Sequence, residues 1–258
     1  MKLTWFGTAG FRIESGEQTL LIDPYFTRNP EAFPKQPLKA SDIQAADQIL
    51  ITHGHFDHIL DVPEIAENTN AMVYCGRGVD QTLIRNGLNP DHIHRVRTDG
   101  EVHQFDGLKV QAFFSRHIKF DRWLMLKTLC RIHIGLPRYL PLLRGYPEGQ
   151  VLSWCISLEG KKLHHFGSGG SPKSELEKLG QQPPDILLVP MQGHTRITRI
   201  AHNYVTTLNP KIVIPHHQDN FFPPISTLVD TKPFVEQVKT SHPDIAVRIP
   251  GVNQPIEI

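Results

Sequence analysis

The chain has 258 residues, enough to bury a hydrophobic core without covalent staples, and its 27 basic and 26 acidic side chains leave a formal net charge of +1. That balance offers no global field to recruit nucleic acid, so any partner must be recognised locally. Three cysteines, Cys75, Cys130 and Cys155, fall in no Cys-x-x-Cys pair; they speak against a disulfide framework and a cysteine-based zinc site, and a reducing, cytoplasmic setting is expected.

The opening "MKLTWFGTAGFRI" lacks the continuous apolar core and cleavage pattern of a secretory signal and reads as folded protein. No run approaches the roughly 18 apolar residues of a spanning helix, so no transmembrane segment is expected. In chain order, "KLTWF", "FRIE" and "TLLID" are short β-type runs divided by turn residues, predicting an antiparallel meander that closes on Pro24. A Pro-rich stretch at 29–37 reads as an ordered surface loop, and "QILIT" restarts the sheet. From there strands and helices alternate: "AMVYC" with "VDQTLIRNG", then "ILLVP" with "ITRIAHNYVTTL", then "KIVIP" with "FVEQVKTS". Between these lie "LKVQAFFS" and "VLSWCISLEGKKLHHFG", the latter predicted to turn at Glu159 and Gly160 as a hairpin. A strand-rich phase followed by a strand-helix phase occurs twice, which predicts two αβ halves stacked sheet to sheet in one domain over 1–258.

One segment departs from both rhythms. Residues 119–147 carry Lys119, Arg122, Lys127, Arg131, Arg138 and Arg144, interleaved with Trp123, Leu124, Met125, Leu126, Leu129, Ile132, Tyr139, Leu140, Leu142 and Leu143. They read as an inserted basic and apolar flap that Pro137, Pro141 and Pro147 divide into short pieces, suited to a lid over a hydrophobic ligand or to peripheral contact with anionic lipid. Trp123 lacks regularly spaced aromatic companions, so base stacking is not expected, and no nucleic-acid partner is.

Chemistry concentrates in "ILITHGHFDHILD", residues 49–61. His53, His55, Asp57 and His58 follow directly on an apolar run, and four titratable side chains at a strand end are costly to organise unless something binds them. Imidazoles at i and i+2 of extended chain point the same way, so His53 and His55 can share one ion, with Gly54 permitting close approach. Serine-nucleophile and phosphate-loop patterns are missing: Ser153, Ser157 and Ser168 have no Gly-x-Ser-x-Gly setting, and "GSGG" at 167–170 lacks the Lys at the spacing of a phosphate loop.

"THGHFDH" resembles the HxHxDH signature of the metallo-β-lactamase-fold hydrolases, and the likeness extends through "KLTWFGTAGFRIES", "TLLIDPYF", "LLVPMQG" and "PKIVIPHHQDNF", closest to the general metal-dependent hydrolase branch. The resemblance implies a four-layer αβ/βα sandwich. It also implies one metal site from His53, His55 and His117, a second from Asp57, His58 and His217, and Asp23 beside them. His216 is then expected to face packing, since successive strand residues point to opposite sides. Where the family carries a bridging Asp in a strand-ending Gly-Asp-Thr or Gly-Asp-Ser, this chain has Ser168 in "HFGSGG". Without that carboxylate two close cations repel, so one or two ions remain open, and Ser168 and His194 stand as candidates for a substrate contact or a substitute ligand. His164 and His165 read as structural strand residues and His202 as a helix residue.

The implied activity is hydrolysis by a metal-bound hydroxide, the ion also acting as Lewis acid on an ester or phosphodiester with a hydrophobic, lipid-like part. Asp57 would orient the water, and His217 or His58 would contact substrate or donate a proton to the leaving group. Zinc suits the histidine ligands, with manganese or iron as alternatives. The competing reading is a metal-binding or ligand-sensing module without turnover, its second site degraded at Ser168.

Overall fold

The computed structural model describes residues 1–132 and 136–258; the side chains of 136–139, including the Tyr139 of the flap reading, lie outside the described set. The chain opens with strands β1 (Lys2–Gly7), β2 (Gly10–Ser15) and β3 (Gln18–Ile22), followed by β4 (Gln48–Leu50). Helices α1 (Phe56–Ile59) and α2 (Val62–Thr69) lead to β5 (Met72–Cys75), α3 (Val79–Arg85) and β6 (Ile93–Arg95). The second half runs through β7 (Val102–Phe105), β8 (Leu108–Phe114), α4 (Arg122–Ile132), α5 (Leu136–Gly145), β9 (Leu152–Leu158) and β10 (Lys161–Phe166). It ends with α6 (Lys173–Gly180), β11 (Ile186–Pro190), α7 (Ile197–Leu208), β12 (Ile212–His216), α8 (Lys232–Ser241), β13 (Ala246–Val247) and β14 (Pro255–Glu257).

These strands form two seven-stranded sheets, ordered β14-β1-β2-β3-β4-β5-β6 and β13-β12-β11-β10-β9-β8-β7. Each sheet begins as an antiparallel meander, β1-β2-β3 or β7-β8-β9-β10, and continues as parallel strands, so the predicted doubling of the pattern is a doubling of structure. The β9-β10 hairpin turns at Glu159 and Gly160, both at positive φ (50° and 71°), the pair of left-handed residues that a tight two-residue hairpin requires.

Side-chain alternation sorts the layers. Leu20, Ile22 and Leu50 face Val110, Trp154, Ile156 and Leu188 in a core between the sheets. Leu21, Ile49, Ile51 and Val73 point the other way, onto Ile59, Val62 and Ile65 at the α1-α2 segment and Leu83 of α3. On the far side Leu187, Val189 and Val213 pack against Leu176, Ala201, Tyr204 and Phe234 of α6, α7 and α8. The result is a four-layer αβ/βα sandwich. Helix α7 shows why the sequence periodicity was sufficient there: Ile197, Ala201, Tyr204, Val205 and Leu208 recur at helical spacing, and all are buried.

Among the described residues the flap carries two helices, α4 and α5, and Pro141 lies inside α5 rather than breaking it. Proline removes one helical N–H, yet a short surface helix can carry that loss while its flanks keep their bonds. No described helix is long and apolar enough to cross a membrane.

Candidate metal centre

The motif residues leave the sheets at one edge. Strand β4 runs out through Ile51 and Thr52 to His53 and His55, and the single turn of α1 then presents Asp57 and His58. His117 follows β8, Ser168 follows β10, His194 follows β11 and His217 follows β12, so the carboxyl ends of these strands bring distant segments to the same rim.

Two donor groups form there. Nitrogens of His53, His55 and His117 lie within 4.8 Å of one another, and so do the donor atoms of Asp57, His58 and His217. The groups touch, with the His53 and His58 rings 3.9 Å apart between centroids. His53, Asp57, His58 and His217 are buried.

A hub of hydrogen bonds turns the rings. Thr52 Oγ1 donates to Asp23 Oδ2 (2.5 Å) and so accepts from His53 Nδ1 (3.0 Å), which directs the His53 Nε2 lone pair outward. His58 Nδ1 donates to the same Asp23 oxygen at 2.7 Å, which leaves its Nε2 facing Asp57 Oδ2 at 3.6 Å. His117 Nδ1 donates to the Ile118 carbonyl at 2.8 Å and likewise frees Nε2. Three imidazoles are thereby locked in the tautomer that a cation needs, the oriented arrangement typical of ligating histidines. The fit to a metal is sharpest between His53 Nε2 and His55 Nδ1, which face each other at 3.0 Å. With His53 Nδ1 already donating, one lone pair meets the other ring's edge at a spacing that a shared cation satisfies.

Electrostatics agree. Burial, reinforced by the neighbouring His58 and His55, pushes His53 well below its usual range, and burial with His55 pushes His117 down to about 3, so both rings are neutral at physiological pH. His58 moves up: burial opposes it, but the Asp23 and Asp57 carboxylates outweigh burial. Asp57 moves down, since His58 and His217 outweigh its burial, and it is ionised.

Backbone strain collects at the same rim. Thr8, Asp23 and His217 have φ of 47°, 42° and 58°, the left-handed region that non-glycine residues seldom occupy. A brace holds His217 there: its amide donates to Thr8 O (2.8 Å), the Thr8 amide donates to Asp219, and Asp219 pairs with Arg28 Nη1 at 2.5 Å in a buried salt bridge. Gly54 is equally constrained, because a Cβ there would lie 2.2 Å from the Pro147 carbonyl at the end of the flap. Thr8, Arg28, Thr52 and Asp219 were not identified from the sequence. Only Thr52 and Asp219 carried a signal, by adjacency to His53 and His217.

The remaining candidates separate. His216 is buried, stacking on His165 (4.9 Å, 13°) and meeting the Phe11 edge, the packing role expected of it. His164 and His165 sit inside β10, bonded to Ser153 and to the Ala9 carbonyl, and His202 lies on α7. Ser168 Oγ accepts the Ile118 amide at 3.0 Å, so it fixes the chain just after His117. His194 is the correction. Its Nδ1 faces Asp121 Oδ2 at 3.2 Å and accepts the Arg196 amide, on the wall of a groove of about 1060 Å³ beside Arg122, and it joins neither donor group. Its loop is tied to the flap's first residues, where the Thr195 amide donates to Asp121 Oδ2 at 2.7 Å.

Next to the centre, Tyr25, Phe56 and Phe221 form an apolar cluster with Leu60, Leu142, Tyr146 and Phe222 packed on it. Phe221 stands 5.1 Å from the His217 ring, between centroids. Tyr25, Phe56, Leu60, Leu142 and Phe222, with Arg28 and Asn29, line a cleft of about 610 Å³, so α5 of the flap supplies part of its wall.

Comparison with known proteins agrees with this architecture. Residues 2–217 match the family model of the beta-lactamase superfamily domain. A UPF0173 metal-dependent hydrolase of Polynucleobacter asymbioticus is 30% identical over 225 residues, covering 85% of this chain and 74% of the relative. Another from Thermoplasma acidophilum is 29% identical over 260 residues, covering 100% and 99%. Among solved structures, the metallo hydrolase Igni18 of Ignicoccus hospitalis superposes with a TM-score of 0.70 at 23% identity, covering 100% of this chain and 98% of its own. The chain therefore belongs to the beta-lactamase superfamily, among its UPF0173 metal-dependent hydrolases.

Proposed function

We propose that the chain hydrolyses an ester or phosphodiester bearing a hydrophobic part, at a centre held by His53, His55 and His117 and extended by Asp57, His58 and His217. The observation that carries this reading is the contact between two pre-oriented donor groups and an aromatic cleft on the same rim. A nitrogen-rich donor set suits zinc, with manganese or iron as alternatives, and a bound ion would supply Lewis acidity and make a coordinated water a better nucleophile. Asp57, ionised and buried, accepts the proton of the attacking water. With a single ion held by His53, His55 and His117, His217 Nε2 stays free of metal and, 3.4 Å from Asp57 Oδ2, is placed to hand a proton to the leaving group. Phe56, Phe222 and Leu142 hold the apolar part and keep bulk water from it.

The flap supports a lipid-like substrate. Phe120, Trp123, Met125, Leu126 and Leu129 are exposed beside Arg122, Lys127 and Arg131, the composition of a segment that rests on an anionic lipid surface. The test is turnover of p-nitrophenyl esters of increasing acyl length and of bis(p-nitrophenyl) phosphate, with and without chelator. Chelator-sensitive turnover that improves with chain length supports the reading; no turnover of either class by metal-loaded protein sinks it.

That second outcome would favour a metal-binding or sensing module without turnover, a reading supported by Ser168 in place of the bridging carboxylate. Ser168→Asp with elemental analysis separates the two: second-ion occupancy together with new activity marks a degraded enzyme, and loss of an existing activity marks a working site that uses Ser168.

A further inference from the structure

Far along the sequence from the motif, a different trio converges. His94 belongs to β6, the edge strand of the first sheet, and His103 to β7, the edge strand of the second; Glu101 lies on the connection that carries the chain from one sheet to the other. Their donor atoms lie within 4.8 Å of one another. Glu101 Oε1 is 2.7 Å from His94 Nε2 and 3.2 Å from His103 Nε2. Three donors around one zinc-sized ion, each about 2.1 Å from it, stand roughly 3.4 Å apart, so an ion could enter if Glu101 Oε1 drew back from His94 Nε2 by about 0.7 Å.

The surroundings are arranged for a ligand. Glu101 Oε2 accepts the Arg97 amide at 2.7 Å and the Thr98 amide at 3.2 Å, which fixes the carboxylate and reserves Oε1 for the histidines. Tyr74 lies 5.2 Å from the His94 ring and 4.7 Å from the His103 ring, centroid to centroid, and backs both. His103 Nε2 is buried and, 3.2 Å from Oε1, makes no aligned hydrogen bond among the described residues. His94 is 42% exposed on its side chain, which leaves an entry path from solvent.

We propose that His94, Glu101 and His103 form a second divalent transition-metal site, distinct from the strand-end centre, that clips the two sheets together at their β6 and β7 edges. Two neutral imidazoles and one carboxylate make a three-ligand set with a coordination position left for water, the pattern that takes zinc, cobalt or nickel. The ion would take the place of the hydrogen bond between His94 Nε2 and Glu101 Oε1, and it would cross-link elements that backbone pairing does not join.

The test uses the full chain, stripped with chelator and titrated with Co²⁺, followed by its visible absorption bands, and with Zn²⁺ by calorimetry. The expected result is that His94→Gln and Glu101→Gln each bind one ion per chain fewer than wild type, while His55→Ala loses ions from the other centre and keeps this one. Hydrolysis by zinc-loaded His94→Gln should match wild type. Metal stoichiometry and cobalt spectrum identical in wild type, His94→Gln and Glu101→Gln would overturn the proposal and leave the trio as an ion pair. Should Glu101→Gln fail to fold, the exposed His94→Gln carries the measurement alone, its stripped form melting with stripped wild type as the control.

Discussion

The loop of residues 52–58 and the flap helices are built in opposite ways. In the loop two imidazoles are turned by named partners: Thr52 and Asp23 hold His53 and His58, and the Glu148 carbonyl accepts the Gly54 amide at 2.8 Å. In α4, Trp123 is 69% exposed, and only Leu124, Thr128 and Ile132 turn inward, at i, i+4 and i+8. A site that must hold several donors around one point within tenths of an ångström needs overdetermined geometry, whereas a surface that greets varied apolar groups needs exposed, adaptable side chains. The comparison teaches that the preorganised donors and the adaptable apolar surface reside in separable parts of this molecule.

The comparison can be broken most severely from the loop side. His55→Ala removes a donor without touching the Thr52-Asp23 hub, so the expected outcome is loss of metal from this centre and of hydrolysis to background with an unchanged circular dichroism spectrum; retained activity would break the assignment. Asp57→Asn should lower kcat by about 10² to 10⁴-fold, since it removes the charged proton acceptor while keeping the shape. Steady-state kinetics on metal-saturated protein decide it. Asp23→Asn acts one step back. Zinc affinity should weaken about 10 to 100-fold, read by competition with a chelating dye, and excess zinc should restore most of the turnover.

A pH effect tests whether tight polar burial is confined to the donor loop. Burial pushes Glu175 up to about 7, against hydrogen bonds from Ser153 and Ser115, the latter two residues before His117. Between the ordinary glutamate range and that value the folded chain keeps a proton that the unfolded chain has lost. Stability should therefore fall as pH rises through the window, by roughly 3 kcal/mol once above it. Chemical denaturation should show Glu175→Gln losing less stability than wild type between pH 4 and pH 8; parallel curves would place the carboxyl's proton elsewhere.

The flap side should give the smallest effects. Trp123→Ser with Leu126→Ser should change stability by less than about 0.5 kcal/mol, as exposed positions do, and leave turnover of a soluble ester intact. Binding to anionic vesicles in a sedimentation assay should drop, and equal binding by both chains would remove the lipid surface from the reading. Leu142→Ala, which reaches the cleft itself, should weaken the preference for long acyl chains by roughly 10-fold in kcat/KM.

Much of the architecture was legible because burial imposes simple periods. Leu20 and Ile22 alternate with Leu21, Ile49 and Ile51 with Leu50, and α7 repeats its apolar face at 3.6 residues, so strands, helices and the doubled pattern could all be read. Short elements escaped: α1 is a single turn, and β13 is two residues, too brief for any period to show. Pro141 misled because a local rule about helix breaking carries no information on whether neighbours support the helix.

By itself the sequence determined the donors that sit together in the chain, His53, His55, Asp57 and His58, because spacing within six residues fixes their relative reach whatever the rest of the fold does. Only the tertiary structure decided which distant residues join them. His117 and His217 arrive there and His194 does not; Ser168 spends its oxygen on the Ile118 amide; Arg28 and Asp219 brace a strained His217; and His94 meets His103 across two sheet edges. The reason is geometric. Where a chain leaves a strand is written in local hydrophobic pattern, but where its side chains point depends on partners tens to hundreds of residues away.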